Sequence, residues 1–352
     1  MTELLDDAAA LRAGDPRGML TAFAATGSRL REAYAAARGS AIPFAGEVRG
    51  VAVCGMGGSA AAGDVVAAAF GDRADVPVVT MRGYTLPRGY GEEHLALCVS
   101  FSGDTEETVA AFRRARSLGC ATVVVAGGGA LVAAARDADL PSVPIPTDAP
   151  VPRAGLGSLV GGVLGALVAA GVLSGVDDEV EATADGLARI AEEIGPEVPL
   201  DRNEAKDVAA WVGERIPVIW GSEGVSAAAA WRWKTAFNEN AEVPAFASQL
   251  PELDHHEVVG WTAKRGDVFC LAILRESGEH ERVQARLDAT LEAIEDSGLE
   301  WREVRARGDT PLARGLSLSL LGDVASTYHA LARGIDPAAM DALVRIKEGL
   351  SR

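Results

Sequence analysis

Residues 55–60, with the sequence GMGGSA, form a glycine-rich turn between a strand-like run and a helix-like run. Backbone N–H groups at the start of a helix can hold an anion. The pattern also fits the GxGxxA turn of dinucleotide-binding folds, which need an acidic residue about 20 positions later, at the end of the second strand. That strand runs to Arg82 without an acid. The turn therefore predicts an anion site and argues against a nicotinamide dinucleotide.

Residues 100–108, SFSGDTEET, again end a strand-like run and begin a helix, and they carry several hydroxyl groups. Hydroxyl and amide donors at a helix N-terminus form a hydrogen-bonding cradle that suits a phosphate monoester. The alternative is that Ser102 or Thr105 only caps the helix. Because open α/β sheets bind ligands at such strand ends, two turns of this kind favour phosphate binding.

A third group lies further along the chain, where residues 238–242 (NENAE) end a long predicted helix and residues 251–257 (PELDHHE) follow a short loop. A Glu flanked by amide side chains can act as a general base, and a His can move protons near neutral pH. Alternatively, Glu239 is a surface acid and the two histidines lie in a solvated turn. Residues 255–257 also suggest a metal site, but consecutive side chains rarely converge on one ion, so no metal is predicted.

Strands and helices must alternate to position these groups. Apolar or β-branched runs separated by helical segments predict a doubly wound parallel sheet; the runs are residues 48–54, 77–84, 94–103 and 121–129. A second alternation begins at IPVIW (216–220) and continues at 267–276. We therefore predict an α/β protein with two domains, residues 1–172 and 173–352, each a doubly wound parallel sheet flanked by helices. Helical segments lead up to a loop at Ile42-Pro43 and close the chain.

The composition restricts the class of function. With 352 residues, 48% hydrophobic and 24% charged, the chain can bury two cores of ordinary size. A net charge of −17 without a basic run argues against nucleic acid as a partner. The 4 cysteines show no CxxC spacing, and the acidic amino terminus lacks a signal peptide. A reducing, cytoplasmic location is expected.

One uncharged stretch, Ala154–Val176, is long enough to span a bilayer. It is rich in Gly and Ala, lacks aromatic belts and a basic flank, and lies alone within an α/β pattern. We therefore predict a buried helix between domains or protomers and no membrane partner.

Together these strings resemble the bifunctional phosphoglucose/phosphomannose isomerase family, whose members carry two sugar isomerase (SIS) domains. CGMGGSAAAGD is similar to the family's GMGGSGIAGD, SFSGDTEET to SYSGNTEET, and NENAEVPAF with PELDHHEVVGW to NENAKxPAF with PELNHNEIVGW. Their order, spacing and extent also match. The resemblance implies an isomerase that needs no metal or cofactor and interconverts glucose 6-phosphate and/or mannose 6-phosphate with fructose 6-phosphate through a cis-enediolate.

The resemblance also implies roles for individual residues. Glu239 would move a proton between C1 and C2, and Arg153 would lie against the enediolate oxygens. His255 would assist ring opening from the partner subunit of a homodimer with shared active sites, and Lys347 would lie near the ring oxygen. Without the resemblance, Arg153 is a linker charge and Lys347 an exposed cation at a helix end. The substrate phosphate would be held by the side chains and amides of Gly57, Gly58, Ser59, Ser100, Ser102 and Thr105.

Three positions depart from the family's pattern. Asp104 stands where Asn is usual, and a carboxylate about 4 Å from a phosphate costs about 4 kcal/mol at an effective dielectric near 20, unless it points away to cap a helix. Glu242 stands where Lys is frequent, and Met340 where members that accept mannose present a small hydroxyl residue. These departures leave a second hypothesis open, a non-catalytic sugar-phosphate-binding SIS protein, although such a protein has no use for a positioned base.

Overall fold

The structure, a computed structural model, describes residues 2–42, 47–264 and 266–350. It begins with short helices that pack on the rest of the chain, as predicted; they are α1 (Thr2–Leu5), α2 (Ala8–Gly14), α3 (Met19–Ala24) and α4 (Thr26–Arg38). The predicted loop at Ile42-Pro43 falls partly outside the described residues, because these exclude Pro43.

The first sheet contains the strands that carry both predicted anion turns. It consists of β1 (Gly50–Cys54), β2 (Val78–Met81), β3 (His94–Ser100), β4 (Ala121–Ala126) and β5 (Ser142–Pro144). All pairs are parallel, in the order β2-β1-β3-β4-β5. The connecting helices are α5 (Gly57–Phe70), α6 (Glu106–Ser117) and α7 (Gly129–Asp137). The strand order reverses between β1 and β3, and such a reversal opens a crevice at the carboxyl ends of the strands.

The uncharged stretch forms a 3-10 helix, Pro152–Gly155, followed by α8 (Leu156–Ala169). A Cβ atom at Gly157 would lie 2.2 Å from the Thr26 carbonyl oxygen, and one at Gly161 would lie 2.3 Å from that of Leu30, so the glycines allow α4 to approach closely. Among the helices of the described residues, Pro152–Ala169 alone has the length and composition to cross a membrane, and it is 83% buried. The prediction of a buried helix is confirmed, but its placement between domains or protomers is wrong, because α4 of the same chain covers it.

The second half of the chain repeats the architecture. Its parallel sheet has the order β7-β6-β8-β9, with β6 (Ile216–Ser222), β7 (Phe246–Leu250), β8 (Phe269–Arg275) and β9 (Glu300–Arg305). Its helices are α9 (Asp177–Glu193), α10 (Glu204–Val212), α11 (Val225–Asn240), α12 (Glu257–Gly260), α13 (Arg282–Ala293), α14 (Pro311–Ala332) and α15 (Asp341–Leu350). The predicted fold class, two doubly wound parallel sheets with helical ends, is confirmed.

Helix α14 joins the two halves. It is buried along most of its length and packs against α11, α10, α9 and α5. Helix α9 also contacts the first half, since a Cβ atom at Gly27 in α4 would lie 2.4 Å from the Ala184 carbonyl oxygen. The domain boundary at residues 172/173 stays a prediction.

Helix α15 differs from the others because all of its residues are exposed. Leu343, Ile346 and Leu350 are 46%, 60% and 69% exposed, and their spacing places them along one side of the helix. An apolar stripe of this kind is normally covered, so α15 presents a surface that could contact another molecule.

The contact between α8 and α4 generates a stability prediction. Replacing Gly161 with Ala should lower the free energy of unfolding by at least about 1 kcal/mol, because a clash with backbone outweighs the better helix propensity of Ala. Urea denaturation measures the change. Gly89→Ala is the control, since a Cβ atom there would meet nothing within 4 Å, and it should change stability by less than about 0.5 kcal/mol. Equal effects of the two substitutions would contradict the close packing.

Candidate active site

The first turn begins directly after β1. Gly57 has a φ of +50°, which favours glycine, and it starts α5. Ser59 is buried in the first turn of that helix, whereas Gly57 is exposed. A Cβ atom at Gly55 would lie 3.1 Å from the Val99 carbonyl oxygen, so this turn lies close to the end of β3. The amides of Gly57 and Gly58 therefore lie at the crevice between β1 and β3.

The second turn follows β3 and is organised by hydroxyl groups. The Oγ atom of Ser100 accepts a hydrogen bond from the Gly103 N–H at 2.9 Å and lies 2.9 Å from Oγ1 of Thr105. The exposed Ser102 accepts a bond from the Asp104 N–H at 3.2 Å. Thr105 occupies the N-cap position of α6 without a side-chain capping bond. Capping of α6 therefore does not account for these hydroxyls.

Asp104 serves a different helix. Its Oδ1 atom accepts a hydrogen bond of 2.8 Å from the Ala130 N–H, at the N-terminus of α7. A carboxylate is stabilised at such a helix end. Of the two outcomes expected for Asp104, the structure shows the one in which the side chain is turned aside to cap a helix.

The 3-10 helix Pro152–Gly155 is wedged between the two turns. A Cβ atom at Gly155 would lie 2.2 Å from Cε2 of Phe101 in the second turn. On the other side, a Cβ atom at Gly58 would lie 3.7 Å from the Arg153 Cα atom. The main chain of Arg153 is therefore held against both predicted anion-binding turns.

The Arg153 side chain is buried, with 3% exposure, so its interpretation as a linker charge is wrong. Its Nε donates to Oδ1 of Asn240 at 2.7 Å, and its Nη2 donates to the carbonyl oxygens of Pro337 and Ala339 at 2.7 and 3.0 Å. Its Nη1 lies 3.5 Å from Oε2 of Glu239. Burial lowers the pKa of Arg153, and the Glu239 carboxylate opposes this shift. The remaining end of the guanidinium thus faces the proposed base.

Glu239 lies in the last turn of α11, and its side chain is 30% exposed. The two flanking amides hold the surrounding chain: Nδ2 of Asn240 donates to Oγ of Ser326 at 3.0 Å, and Nδ2 of Asn238 donates to the Val243 carbonyl at 2.9 Å. The carboxylate therefore combines access to a ligand with a fixed cation beside it. The role of Asn240 was not predicted, although it lies within the NENAE string.

The structure does not bring His255 to this pair. His255 is exposed in the 3-10 helix Glu252–His255. Within the described part of the chain, no hydrogen bond or ion pair joins it to Glu239 or Arg153. Lys347 is exposed on α15. His255 therefore does not complete the site within one described chain, and the role of Lys347 stays a prediction.

The loop that carries His255 is anchored by its neighbour Glu257. The carboxylate of Glu257 accepts hydrogen bonds from the indole N–H groups of Trp220 and Trp261, at 3.2 and 3.0 Å, and from the Ser248 hydroxyl.

Among residues 2–42, 47–264 and 266–350, no three His, Cys, Asp or Glu side chains are placed to hold one metal ion.

The corresponding crevice of the second sheet is occupied by the protein's own charges. Between the ends of β6 and β8, Ser222 donates to Oε1 of Glu279 at 3.1 Å, and Arg275 lies 2.7 Å from the same carboxylate. The Arg275 and Glu279 side chains are each 7% exposed. A buried carboxylate at this position repels an anion, so the two sheets are not equivalent and the anion site belongs to the first.

The two other departures lie at the edges of the site. Glu242 follows α11 with a φ of +52° and is exposed. Met340 is partly buried and directly follows Ala339, whose carbonyl oxygen holds Arg153. The influence of Met340 on which sugar fits stays a prediction.

Comparisons with known proteins agree with this architecture. The family model described as bacterial phospho-glucose isomerase C-terminal SIS domain matches residues 201–350. A bifunctional phosphoglucose/phosphomannose isomerase of Caldicellulosiruptor bescii is 31% identical over 303 residues, which cover 86% of this chain and 89% of that protein. The protein of the same name from Aquifex aeolicus is 32% identical over 307 residues, covering 86% and 91%.

A solved structure supports the fold. The crystal structure of a hypothetical protein from Thermus thermophilus covers 99% of this chain and 94% of its own, with a TM-score of 0.73 and 19% identity. At that identity the likeness shows the fold alone.

The position of Asp104 predicts the effect of removing its charge. Asp104→Asn should raise the affinity for inorganic phosphate by no more than about fivefold, because the carboxylate is turned toward the Ala130 N–H and even at 4 Å one unfavourable charge is worth only about 1 kcal/mol in a water-like dielectric. The Asn oxygen can still accept the Ala130 N–H, so stability should be retained. Calorimetric titration measures the affinity, with Asp137→Asn, an exposed residue at the other end of α7, as the control. A rise well beyond fivefold would contradict the turned-aside position of the Asp104 carboxylate.

Proposed function

The chain belongs to the bifunctional phosphoglucose/phosphomannose isomerase family, and from this premise we propose that it interconverts glucose 6-phosphate and/or mannose 6-phosphate with fructose 6-phosphate. The observation that carries the proposal is the placement of Glu239, an accessible carboxylate, 3.5 Å from the buried guanidinium of Arg153. This pair lies beside the two turns that can hold a phosphate.

The 6-phosphate binds at the crevice between β1 and β3. Its oxygens accept hydrogen bonds from the amides of Gly57 and Gly58 and from hydroxyls at Ser59, Ser100, Ser102 and Thr105. Hydroxyl and amide donors at the starts of α5 and α6 stabilise a phosphate dianion without a bound cation. The phosphate thereby fixes the distance between the sugar's C1–C2 end and the reacting groups.

Proton transfer occurs at the other end of the sugar. Glu239 removes the C2 proton of the open-chain aldose, and the electrons of that bond form the C1–C2 double bond of a cis-enediolate. A proton then moves from O2 to O1, and return of the first proton from Glu239 to C1 gives the ketose. Arg153 stabilises the negative oxygen of the enediolate, because its guanidinium is anchored before the charge develops. Since this fixed cation supplies the electrostatic stabilisation, the mechanism requires no metal.

The rival hypothesis is a protein that binds sugar phosphates without catalysis. Such a protein needs the two turns but gains nothing from a carboxylate beside an anchored cation. Two departures from the family's pattern suggested this rival hypothesis. Their positions weaken that suggestion, because Asp104 caps α7 and Glu242 is exposed. Catalysis is therefore the better supported function, and Met340 bears on the preference between glucose and mannose.

A homodimer with shared active sites is the second part of the proposal. His255 is exposed and not joined to Glu239, and α15, which carries Lys347, exposes an apolar stripe. A partner subunit covering these surfaces would supply His255 for ring opening and place Lys347 near the ring oxygen. Helix α8 no longer supports dimerisation, because its burial is satisfied within the chain.

Isotope exchange tests the reaction. Chelator-treated protein incubated with fructose 6-phosphate in deuterated water should form glucose or mannose 6-phosphate carrying deuterium at C2, as observed by proton NMR. Glu239→Gln should lower kcat by about 10²- to 10⁴-fold, the range for a general base. The exposed Glu242→Gln is the matched control and should retain activity. Retained phosphate binding with no turnover in the unmodified protein would favour the binding function instead.

Subunit complementation tests the shared site. Glu239→Gln and His255→Ala should each be inactive alone. After unfolding and refolding together, half of the dimers are mixed, and each mixed dimer contains one intact site, so about one quarter of the normal activity should return. Gel filtration should show a dimer. An active monomer, or two inactive variants that never complement, would refute the shared site.

A further inference from the structure

A second arginine lies buried beneath the site. Nη2 of Arg232, on α11, lies 2.7 Å from Oδ1 of Asp323, on α14, and both side chains are 2% exposed. Burying two charges is costly, and an apolar pair of similar volume is often at least as stable. Stability alone is therefore a weak explanation for this ion pair.

Arg232 also contacts the main chain of Arg153. Its Nη2 donates a hydrogen bond of 2.6 Å to the Arg153 carbonyl oxygen. That carbonyl belongs to the 3-10 helix wedged between Gly58 and Phe101. Arg232 thus acts on the backbone from which the Arg153 side chain extends.

Several polar contacts join α11 to α14, and two of them, the ion pair and a bond made by Asn240, also reach Arg153. About two turns after Arg232, Asn240 holds Nε of Arg153 at 2.7 Å. Asn240 is held in turn by Ser326, about one turn after Asp323. One connection fixes the main chain of Arg153, and the other fixes its side chain.

The charges at the site are balanced. The pKa of Asp323 is raised to about 6: burial raises it most, the Arg232 guanidinium opposes this shift, and Glu239 and Arg153 make smaller contributions of opposite sign. Arg153 also interacts with Arg17 and Asp336, which pair with each other at 2.7 Å. Arg153, Arg232, Glu239 and Asp323 therefore form a group of two positive and two negative charges that interact.

We infer that Arg232 and Asp323 are positioning residues of the isomerase site. Arg232 holds the main chain of Arg153 so that the guanidinium faces Glu239, and Asp323 orients Arg232 and balances its charge next to the base. The inference rests on the proposed function, because it assigns the pair to the reaction that Glu239 and Arg153 carry out.

Steady-state kinetics of the dimeric enzyme test the role of Arg232. Arg232→Met should lower kcat about 100-fold and change KM by less than about threefold, because an interaction made in the transition state is lost. Arg232→Lys should recover at least about tenfold of that loss, since an ammonium group can still donate to the carbonyl and pair with Asp323. Arg275→Met is the matched control: it breaks a buried ion pair of the second sheet and should lower the urea midpoint without changing kcat.

The pH profile tests the role of Asp323. Asp323→Asn keeps an acceptor for Arg232 but removes the negative charge, so the uncompensated Arg232 favours the ionised form of the base. The acid limb of kcat/KM should move to lower pH by about half a unit, and kcat should fall about two- to threefold, because a more easily ionised carboxylate is a weaker base. A packing role would leave the pH profile unchanged.

Two results would overturn the inference while leaving the proposed function intact. The first is Arg232→Met with kcat within twofold of the unmodified enzyme and a urea midpoint lowered as in Arg275→Met. The second, which decides the matter if Arg232→Met does not fold, is Asp323→Asn with unchanged kcat and an unmoved acid limb.

A binding measurement distinguishes failure of the positioning role from failure of the proposed function. A phosphorylated hydroxamate that mimics the enediolate, titrated by calorimetry, should bind Arg232→Met about 100-fold more weakly than the unmodified protein, with inorganic phosphate affinity within twofold. Equal hydroxamate affinities would overturn the positioning role. If the unmodified protein neither binds the hydroxamate nor isomerises the sugar, the proposed function and the inference both fall.

Discussion

A buried guanidinium is tolerated in a protein interior when its donors are satisfied and its charge is paired. Arg153 meets this condition through groups that lie far apart in the chain: an amide from the end of α11, two carbonyl oxygens from the segment between α14 and α15, and the Glu239 carboxylate. Each of these elements must be in place for the charge to be buried. The requirements of one side chain therefore link the second half of the chain to the turns of the first sheet.

Helices α11 and α14 connect the groups that hold Arg153 to the first half of the chain. They pack along each other in the second half, and both also contact α5, the helix that begins at the first anion turn. The proposed phosphate site thus lies in the first half, while the proposed base and the groups that hold Arg153 lie in the second half. The second sheet repeats the parallel arrangement, but the buried Glu279 and Arg275 fill the crevice at its strand ends. A phosphate is therefore expected in the crevice of the first sheet and not in that of the second.

The departures from the family's pattern can be understood from local geometry. Asp104 occupies a helix N-terminus, where a carboxylate is favourable, and its bond to Ala130 turns it aside. Glu242 adopts a left-handed conformation at the end of α11 and is exposed. Met340 follows a carbonyl that holds Arg153 and packs partly buried against the hydrophobic core. Its effect on substrate range stays a prediction.

The sequence alone determined the features that depend on neighbouring residues. Three signals depend only on neighbouring residues: the glycine at the positive φ of residue 57, the hydroxyls at helix starts, and the apolar runs of β1, β3 and β4. These signals located both predicted anion turns and the sheet that carries them. The edge strands β5, β7 and β9 were not predicted. β9, with the sequence EWREVR, lies at a sheet edge and lacks the apolar run of a central strand.

Tertiary structure determined which charges are buried and which groups they pair with. For Arg153 the residues alone also allowed a linker charge, and only the resemblance implied a role in the site. Arg232 and Asp323 were not singled out, although a charge within the apolar sequence of α14 is a detectable signal. The partner of Arg153 Nε lies 87 residues away, and the donor to its carbonyl lies 79 residues away. Pairing over such distances leaves no periodicity in the sequence, because packing of α11 on α14 brings these groups together and propensity does not.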